Sequence, residues 1–341
     1  GHLARCLALA NYLEKLKAKV IFICRNHYGS SHELVLKQKF RLHLLNGKED
    51  QEISLKHKDW LGFSQLQDVS ESSIFIDMYP GSHVIVDHYG LDCQWESNIN
   101  CESMTVIDDL ADRHHKCSLL IDQSLKNTKL NYENLVDGNF DFMGGNLVIL
   151  REEFSDERAW EALGSGKVLI CMGGADPKSY TKKILENIIL NHKRCSSPQD
   201  EIEINVIVGS ACTDYDDLKS LAVTDKLKVS ILFNPENISQ LMLQSELCIL
   251  SCGTMILEAC ALGVPSIGLA VAENQKSTAE FLASSGAIEL YDFNNEKDLS
   301  IYRVILDFIN NPKKLSLCSK KLKTMVSSDA TEIIARRLCE S

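Results

Sequence analysis

The sequence predicts an α/β protein built from two doubly wound domains, and three observations carry that reading. Short apolar runs alternate with helical stretches along most of the chain, the pattern of parallel strands joined by crossover helices. Several runs stop at small or acidic residues, among them Met172-Gly173-Gly174, Ser251-Cys252-Gly253-Thr254 and Asp108-Asp109. Ligand groups in such sheets gather at the carboxyl ends of strands. With 341 residues the chain is long enough for two cores.

Taken in order, Leu3, Leu7, Ala10 and Leu13 form one stripe at helical spacing, with Gly1-His2 directly before it. A strand at Val20–Cys24 follows. An α/β chain that opens on a helix is expected to have been preceded by a strand, so a first N-terminal strand is expected to be absent from this chain. Further strands are expected at Leu42–Leu45, Val84–Asp87, Met104–Asp108, Leu119–Ile121 and Met143–Leu150. Residues 151–166 read as the exit toward a linker. A second series then opens with strand Val168–Cys171 and helix Thr181–Leu190, and continues with strands Ile204–Val208 and Val229–Leu232. Helix Asn237–Gln244 precedes the strand Leu247–Leu250. The next helix carries Ile256, Leu257, Cys260 and Ala261 on an apolar side, is stopped by Gly263-Val264-Pro265, and leads to strand Ser266–Val271. The tail holds a helix from Leu299 to Asn310, a Lys-rich amphipathic segment from Pro312 to Met325, and a last helix over Thr331–Leu338. The expected domains are residues 1–155 and 166–325, with 326–341 as a closing segment and a site in the cleft between the domains.

Composition narrows the function classes. Hydrophobic residues make up 45% and charged residues 24%, normal for a soluble globular chain. A net charge of −11 argues against a nucleic-acid partner, which would require a basic face, but leaves room for a nucleotide held by backbone N–H groups. No apolar run reaches the ~20 residues of a membrane span and none resembles a secretory signal, so no membrane partner and a cytoplasmic location are expected. The 13 cysteines are scattered without a C-x-x-C pair and often lie in apolar runs. They read as buried thiols rather than disulfides or zinc ligands.

The turn Ser251–Thr254 feeds a helix whose first N–H groups can receive a phosphate, and Glu258 lies one turn further on, placed to accept from a pair of sugar hydroxyls. An ordinary βαβ unit with a tight turn would leave the same pattern. Gly173-Gly174, with Asp176-Pro177, lets backbone approach a ligand at the equivalent place in the second series. His2, at a helix N-terminus that favours the neutral ring, suits a general base; a histidine left by cloning is the competing reading. Asp108, Asp109, Asp112, His114, His115 and Cys117 form either a metal or acid–base cluster or, preferred, a solvated loop capping the next helix. Asp87-His88-Tyr89 fits substrate contact and structural capping equally. A serine nucleophile elbow is missing from the sequence, so acyl transfer is not supported.

Six stretches occur in a telling order: Gly1-His2-Leu3-Ala4-Arg5-Cys6; Val86-Asp87-His88-Tyr89-Gly90-Leu91-Asp92-Cys93-Gln94-Trp95-Glu96; Ile107-Asp108-Asp109-Leu110-Ala111-Asp112-Arg113; Met172-Gly173-Gly174-Ala175-Asp176-Pro177; Leu257-Glu258-Ala259-Cys260-Ala261-Leu262-Gly263-Val264-Pro265-Ser266; and Ala272-Glu273-Asn274-Gln275. Together, from Gly1 to about Tyr291, they resemble the UDP-2,4-diacetamido-2,4,6-trideoxy-β-L-altropyranose hydrolases of pseudaminic acid biosynthesis. The resemblance implies the two-domain GT-B fold of the MurG glycosyltransferases, with a last helix returning to the N-terminal domain. It implies hydrolysis at the anomeric carbon with UDP as leaving group, without metal or cofactor. His2 would then be the base that activates water, and Tyr89 would line the sugar pocket. Gly173 and Gly174 would face the phosphates, Gly253, Thr254, Asn274 and Gln275 would form the nucleotide loops, and Glu258 would hold the ribose. The family often has Ala-Gly-Gly-Ser or Ala-Gly-Gly-Thr at the pyrophosphate turn, where this chain has Cys252 in place of one glycine. Two other functions fit the same residues: a GT-B glycosyltransferase with a UDP-sugar donor, and a UDP-sugar-binding module without turnover.

Overall fold

A computed structural model describes residues 1–27, 31–47, 57–155, 160–174, 176–194, 202–224, 227–293 and 300–340. The chain opens on α1 (His2–Lys15), β1 (Ile21–Asn26), α2 (Glu33–Lys37) and β2 (Arg41–Asn46). It continues with α3 (Gln65–Ile76), β3 (His83–Val86), α4 (Cys93–Glu96), β4 (Ser103–Ile107), β5 (Leu119–Ile121), α5 (Lys129–Tyr132) and β6 (Asp141–Met143). Next come β7 (Lys167–Cys171), α6 (Tyr180–Arg194), β8 (Glu203–Val208), α7 (Tyr215–Leu221), β9 (Lys228–Phe233) and α8 (Ile238–Leu243). They are followed by β10 (Leu247–Ser251), α9 (Thr254–Leu262), β11 (Ser266–Leu269), α10 (Lys276–Ser284) and β12 (Glu289–Leu290). Helices α11 (Ile301–Ile309), α12 (Pro312–Leu322) and α13 (Ala330–Cys339) close the chain. Two units result: Gly1–Arg151 with Asp329–Ser341, and Glu152–Ser328.

In the first unit β3, β4, β5 and β6 form a parallel sheet in sequence order, and β1 pairs in parallel with β2. Helix α1 is buried on two faces rather than along one stripe. Leu7 and Ala10 pack with Val35 and Phe40, whereas Ala8, Leu9 and Leu13 pack with Ile107, Leu119, Ile121 and Ile149. Ile334, Ala335 and Leu338 of α13 complete that second cluster.

The strand expected over Met143–Leu150 stops at Met143. Gly145 has a φ of +68°, a left-handed turn that a side chain resists, so the chain leaves the sheet there. Val148, Ile149 and Leu150 are apolar for a different reason: all three are buried, and Ile149 packs against Ile334, Ala335 and Leu338 of α13. Leu150 N–H donates to Thr331 Oγ1 at 2.7 Å, and Thr331 Oγ1 donates back to the Leu150 carbonyl at 3.0 Å.

The second unit has a six-stranded parallel sheet in the order β12-β11-β10-β7-β8-β9. The order reverses beside β7, placing the topological switch point between β7 and β10. Every residue of β10, and Val168–Cys171 of β7, is buried, which is why these strands read as unbroken apolar runs. Helix α9 is buried from Ile256 through Leu262, all round rather than on one side, and Gly263 ends it in the left-handed conformation (φ 69°). Strand β11 ends at Leu269, short of the expected Val271. Leu299, where a helix was expected to start, lies outside the described residues; α11 begins at Ile301.

Candidate functional site

His2 is the first residue of α1, and Arg5 is one turn on, so both project from one face of the helix. Asp87 follows β3 at its carboxyl end, and there the three side chains meet. His2 Nδ1 lies 2.5 Å from Asp87 Oδ1, while Arg5 donates to Asp87 through Nε at 2.7 Å and Nη2 at 2.6 Å. The Cys6 thiol donates to Asp87 Oδ2 at 3.2 Å. Burial would raise the Asp87 carboxyl, but the Arg5 guanidinium and then His2 more than offset it and hold it well below the usual carboxylate range. Asp87 is therefore a fixed anion. It orients the imidazole so that a proton sits on Nδ1 and the lone pair on Nε2, the arrangement of a carboxylate-oriented base.

Two aromatic rings stand edge-on to His2, Tyr89 at 4.4 Å between centroids and Trp60 at 6.3 Å. Tyr89 is buried, and its hydroxyl donates to Asp109 Oδ1. Asp109 also accepts from Arg5 Nη1 at 3.1 Å. Burial, and next the nearby His2, push His88 down to about 4, so it is neutral near pH 7; its Nδ1 accepts from the Gly90 N–H at 3.0 Å.

The Asp108–Cys117 stretch is a solvated loop only in part: Asp112, His114 and Lys116 are exposed, and Cys117 is buried. Asp108 and His115 are both fully buried. Asp108 pairs with Arg113 at 2.8 Å and faces His115 Nε2 at 3.8 Å, while His115 Nδ1 lies 2.8 Å from Glu96. Burial works against charge on His115, but Asp108 and Glu96 more than reverse this and raise it to about 9. Burial likewise opposes ionisation of Asp108, yet His115 and then Arg113 bring it down to about 2. Asp108 Oδ2 also accepts the N–H of Ala111, which sits in a left-handed turn (φ 51°). This network fixes the turn that presents Asp109 to Arg5 and Tyr89. Among the described residues no three His, Cys, Asp or Glu side chains converge as a metal-ligand set.

In the second unit the turns after β7 and β10 stand at the switch point, where open α/β sheets bind ligands. Gly173 has a φ of +98°, accessible to glycine, and a Cβ built on it would lie 3.9 Å from Ser251 Oγ. Gly174 is exposed. A Cβ on Gly209, just past β8, would fall 2.4 Å from the Gly174 carbonyl oxygen, so only glycine permits that approach. Ala175 lies outside the described residues, and Asp176 caps α6 by accepting from Tyr180 N at 3.0 Å and Thr181 N at 2.7 Å. Gly253 is the N-cap of α9 and Thr254 its first residue. The opening N–H groups of that helix lack intrahelical acceptors. Asn274 and Gln275 lie on a short 3-10 turn, where Gln275 Oε1 accepts from Val271 N at 3.0 Å; a Cβ on Gly253 would lie 3.2 Å from Gln275 Nε2. Glu258 is only 1% exposed, deeper than its expected contact with ribose suggests.

Cys252 does not obstruct the turn. Its thiol is buried, pushed up to about 12 by that burial, and its Sγ faces Gly268, where an added Cβ would lie 2.6 Å away. Of the remaining thiols, Cys117, Cys171, Cys248, Cys260 and Cys318 are buried and Cys339 is exposed, and the described cysteines form no disulfide with one another.

The structure brings His2 and Tyr89 together in one unit, and Gly253 and Gln275 in the other. Sequence reading missed Arg5, assigned Asp109 by preference to a solvated loop, and left Asp87 undecided. The available signal was the spacing of His2 and Arg5 on one helix face, opposite acidic residues just past strand ends.

No protein-family profile matches the chain. Over 296 residues it is 27% identical to an uncharacterized protein of Methanocaldococcus jannaschii, covering 81% of this chain and 54% of that protein. It thus spans about half the length of that relative. It is 28% identical over 207 residues to the UDP-2,4-diacetamido-2,4,6-trideoxy-beta-L-altropyranose hydrolase of Campylobacter jejuni, a distant similarity covering 60% of this chain and 71% of that enzyme. Among solved structures, MurG of Acinetobacter baumannii superposes with a TM-score of 0.65 at 14% identity, covering 100% of this chain and 96% of that one. The spinosyn rhamnosyltransferase SpnG gives 0.67 at 14% identity, covering 99% and 96%. LpCGTa, solved in complex with UDP, gives 0.60 at 12% identity, covering 99% and 96%. These likenesses show the fold: two Rossmann-like α/β units of the GT-B type. No described helix is long and apolar enough to cross a membrane.

Proposed function

We propose that this chain is a UDP-sugar enzyme of the GT-B fold that breaks the anomeric C–O bond, with His2 deprotonating the attacking hydroxyl. The observation that carries the proposal is the Asp87–His2 pair at 2.5 Å, anchored by Arg5. A carboxylate on Nδ1 keeps the lone pair on Nε2 and stabilises the imidazolium formed when the proton arrives. UDP leaves as a stabilised anion, so the reaction needs a base and a positioned nucleophile more than an acid. General-base assistance supplies typically ~10²–10⁴-fold, and positioning with backbone N–H groups at the pyrophosphate supplies the rest. In this reading Gly253 and Thr254 at the α9 N-terminus, Gly173, Gly174, Asn274 and Gln275 hold the diphosphate. Glu258 holds the ribose, and Tyr89 backs the sugar pocket. The domain roles follow: residues 1–155 supply base and sugar pocket, and 166–325 hold UDP, without metal or cofactor.

Two readings divide on the attacking group. Transfer to an acceptor hydroxyl is supported by solved structures of this fold, the spinosyn rhamnosyltransferase SpnG among them. Attack by water is the second reading, supported by the hydrolase from Campylobacter jejuni. On that reading the substrate is UDP-2,4-diacetamido-2,4,6-trideoxy-β-L-altropyranose and the pathway pseudaminic acid synthesis in the cytoplasm. The test is to incubate full-length protein with that UDP-sugar, with and without sugar or lipid acceptors, and to measure UDP. Release that needs an acceptor means transfer, and release without one means hydrolysis. Binding without release makes the chain a sugar-nucleotide module, and absence of binding defeats the proposal.

A further inference from the structure

The polar atoms around His2 are committed to one another. Asp87 takes Arg5 Nε, Arg5 Nη2 and the Cys6 thiol; Asp109 takes Arg5 Nη1 and the Tyr89 hydroxyl. A sugar entering here could recruit Asp87, whose two oxygens already accept from His2, Arg5 and Cys6, only by breaking a buried ion pair, which is strongly unfavourable. What borders the partly open imidazole is aromatic. His2 has 30% of its side chain exposed, the Tyr89 ring is 4% exposed, and Trp60 is half-buried on the 3-10 turn before α3. Trp60 stands perpendicular to His2 (87°) and has its ring centroid 5.9 Å from that of Tyr89.

We propose that Trp60 is the surface on which the glycosyl ring stacks, so that the ligand is a nucleotide sugar whose pyranose presents an apolar C–H face to the indole. The inference rests on the UDP-sugar reading and names a contact within it. The C–H bonds of a pyranose face carry partial positive charge and meet the negative face of an indole, with Trp the best of the aromatic partners. A stacked ring is also held without calling on the Asp87 ion pair, which leaves that carboxylate to orient the base. Sugar selection then falls on an apolar contact, which favours deoxy or N-acetylated faces over hydroxyl-lined ones.

The test compares binding of UDP with binding of UDP-2,4-diacetamido-2,4,6-trideoxy-β-L-altropyranose by calorimetry, and follows tryptophan emission. Trp95 is buried with its Nε1 donating to Asp68, and Trp160 donates to the Ser245 carbonyl. A sugar-dependent change in emission that disappears in Trp60→Phe therefore belongs to Trp60. Trp60→Ala is expected to weaken the UDP-sugar roughly 3- to 10-fold while leaving UDP within about 2-fold, and Trp60→Phe to restore part of the loss. Unchanged UDP binding also establishes that the variant is folded. Equal weakening of both ligands, or of neither, overturns the stacking role. Failure of the unmodified protein to bind UDP overturns the UDP-sugar reading, and the stacking role with it.

Discussion

Replacing Asp87 with Asn keeps the shape of the side chain and removes the charge that His2, Arg5 and Cys6 share. The carboxylate accepts at 2.5 Å from His2, at 2.7 and 2.6 Å from Arg5 and at 3.2 Å from Cys6. An amide has one acceptor oxygen and turns an NH₂ toward donors that it cannot satisfy. Arg5, only 7% exposed, keeps Asp109 at 3.1 Å as its remaining partner. Removing one side of a buried pair costs ~3–5 kcal/mol, and one restored hydrogen bond returns about 1, so a loss of roughly 2–4 kcal/mol is expected. Loss of the His2 partner should also lower UDP release ~10²–10⁴-fold. Urea unfolding gives the first quantity and initial rates of UDP formation the second. The double variant Arg5→Met, Asp87→Leu should cost less than the sum of its parts, because neither member of the Arg5–Asp87 pair is left charged without the other. If Asp87→Asn stayed within about 0.5 kcal/mol of the parent and kept its rate, the claim that this carboxylate organises the site would be wrong.

Three further outcomes follow from the same structure. His115, raised to about 9 by Asp108 and Glu96, contributes up to ~3 kcal/mol that is fully present below about pH 6.5 and lost as pH rises through about 9; urea midpoints should fall across that window and His115→Gln should flatten the fall. Gly268→Ala would place a Cβ 2.6 Å from Cys252 Sγ and 2.7 Å from Ile288 Cδ1, at a cost of about 1–3 kcal/mol by thermal unfolding. Adding Cys252→Ala should recover part of that loss, and no recovery would contradict the inward placement of the thiol. Thr331→Val leaves the Leu150 N–H and carbonyl without their partner, at roughly 2–4 kcal/mol, and hydrogen exchange at the Leu150 amide should accelerate.

What the sequence disclosed follows burial. Val168–Cys171 and Leu247–Leu250 are buried on both faces, so each reads as a strand from its apolar residues alone, and the turns after them follow from small residues at their ends. Met143–Leu150 misled because Val148, Ile149 and Leu150 are buried without a sheet partner, Ile149 and Leu150 beside a helix some 180 residues away (|i−j| = 181 for Leu150 and Thr331). Sequence periodicity cannot register such a contact. His2 was legible at a helix start, and Tyr89 in a strand-end motif. Asp87 was not, since its role exists only where strand β3 meets the face of α1 on which His2 and Arg5 lie. The Asp108–His115 network was misjudged for a related reason. A run of charges usually signals solvent, and here Glu96, from a separate helix, supplies the anion that lets His115 be buried.

The central claim is that His2, oriented by Asp87, is the base in a UDP-sugar reaction. Its most direct test is the rate of UDP release from the UDP-sugar by the parent protein and by His2→Ala, with UDP affinity measured in parallel. The account predicts a rate lowered ~10²–10⁴-fold with UDP affinity unchanged. A variant that released UDP at close to the parent rate would contradict it.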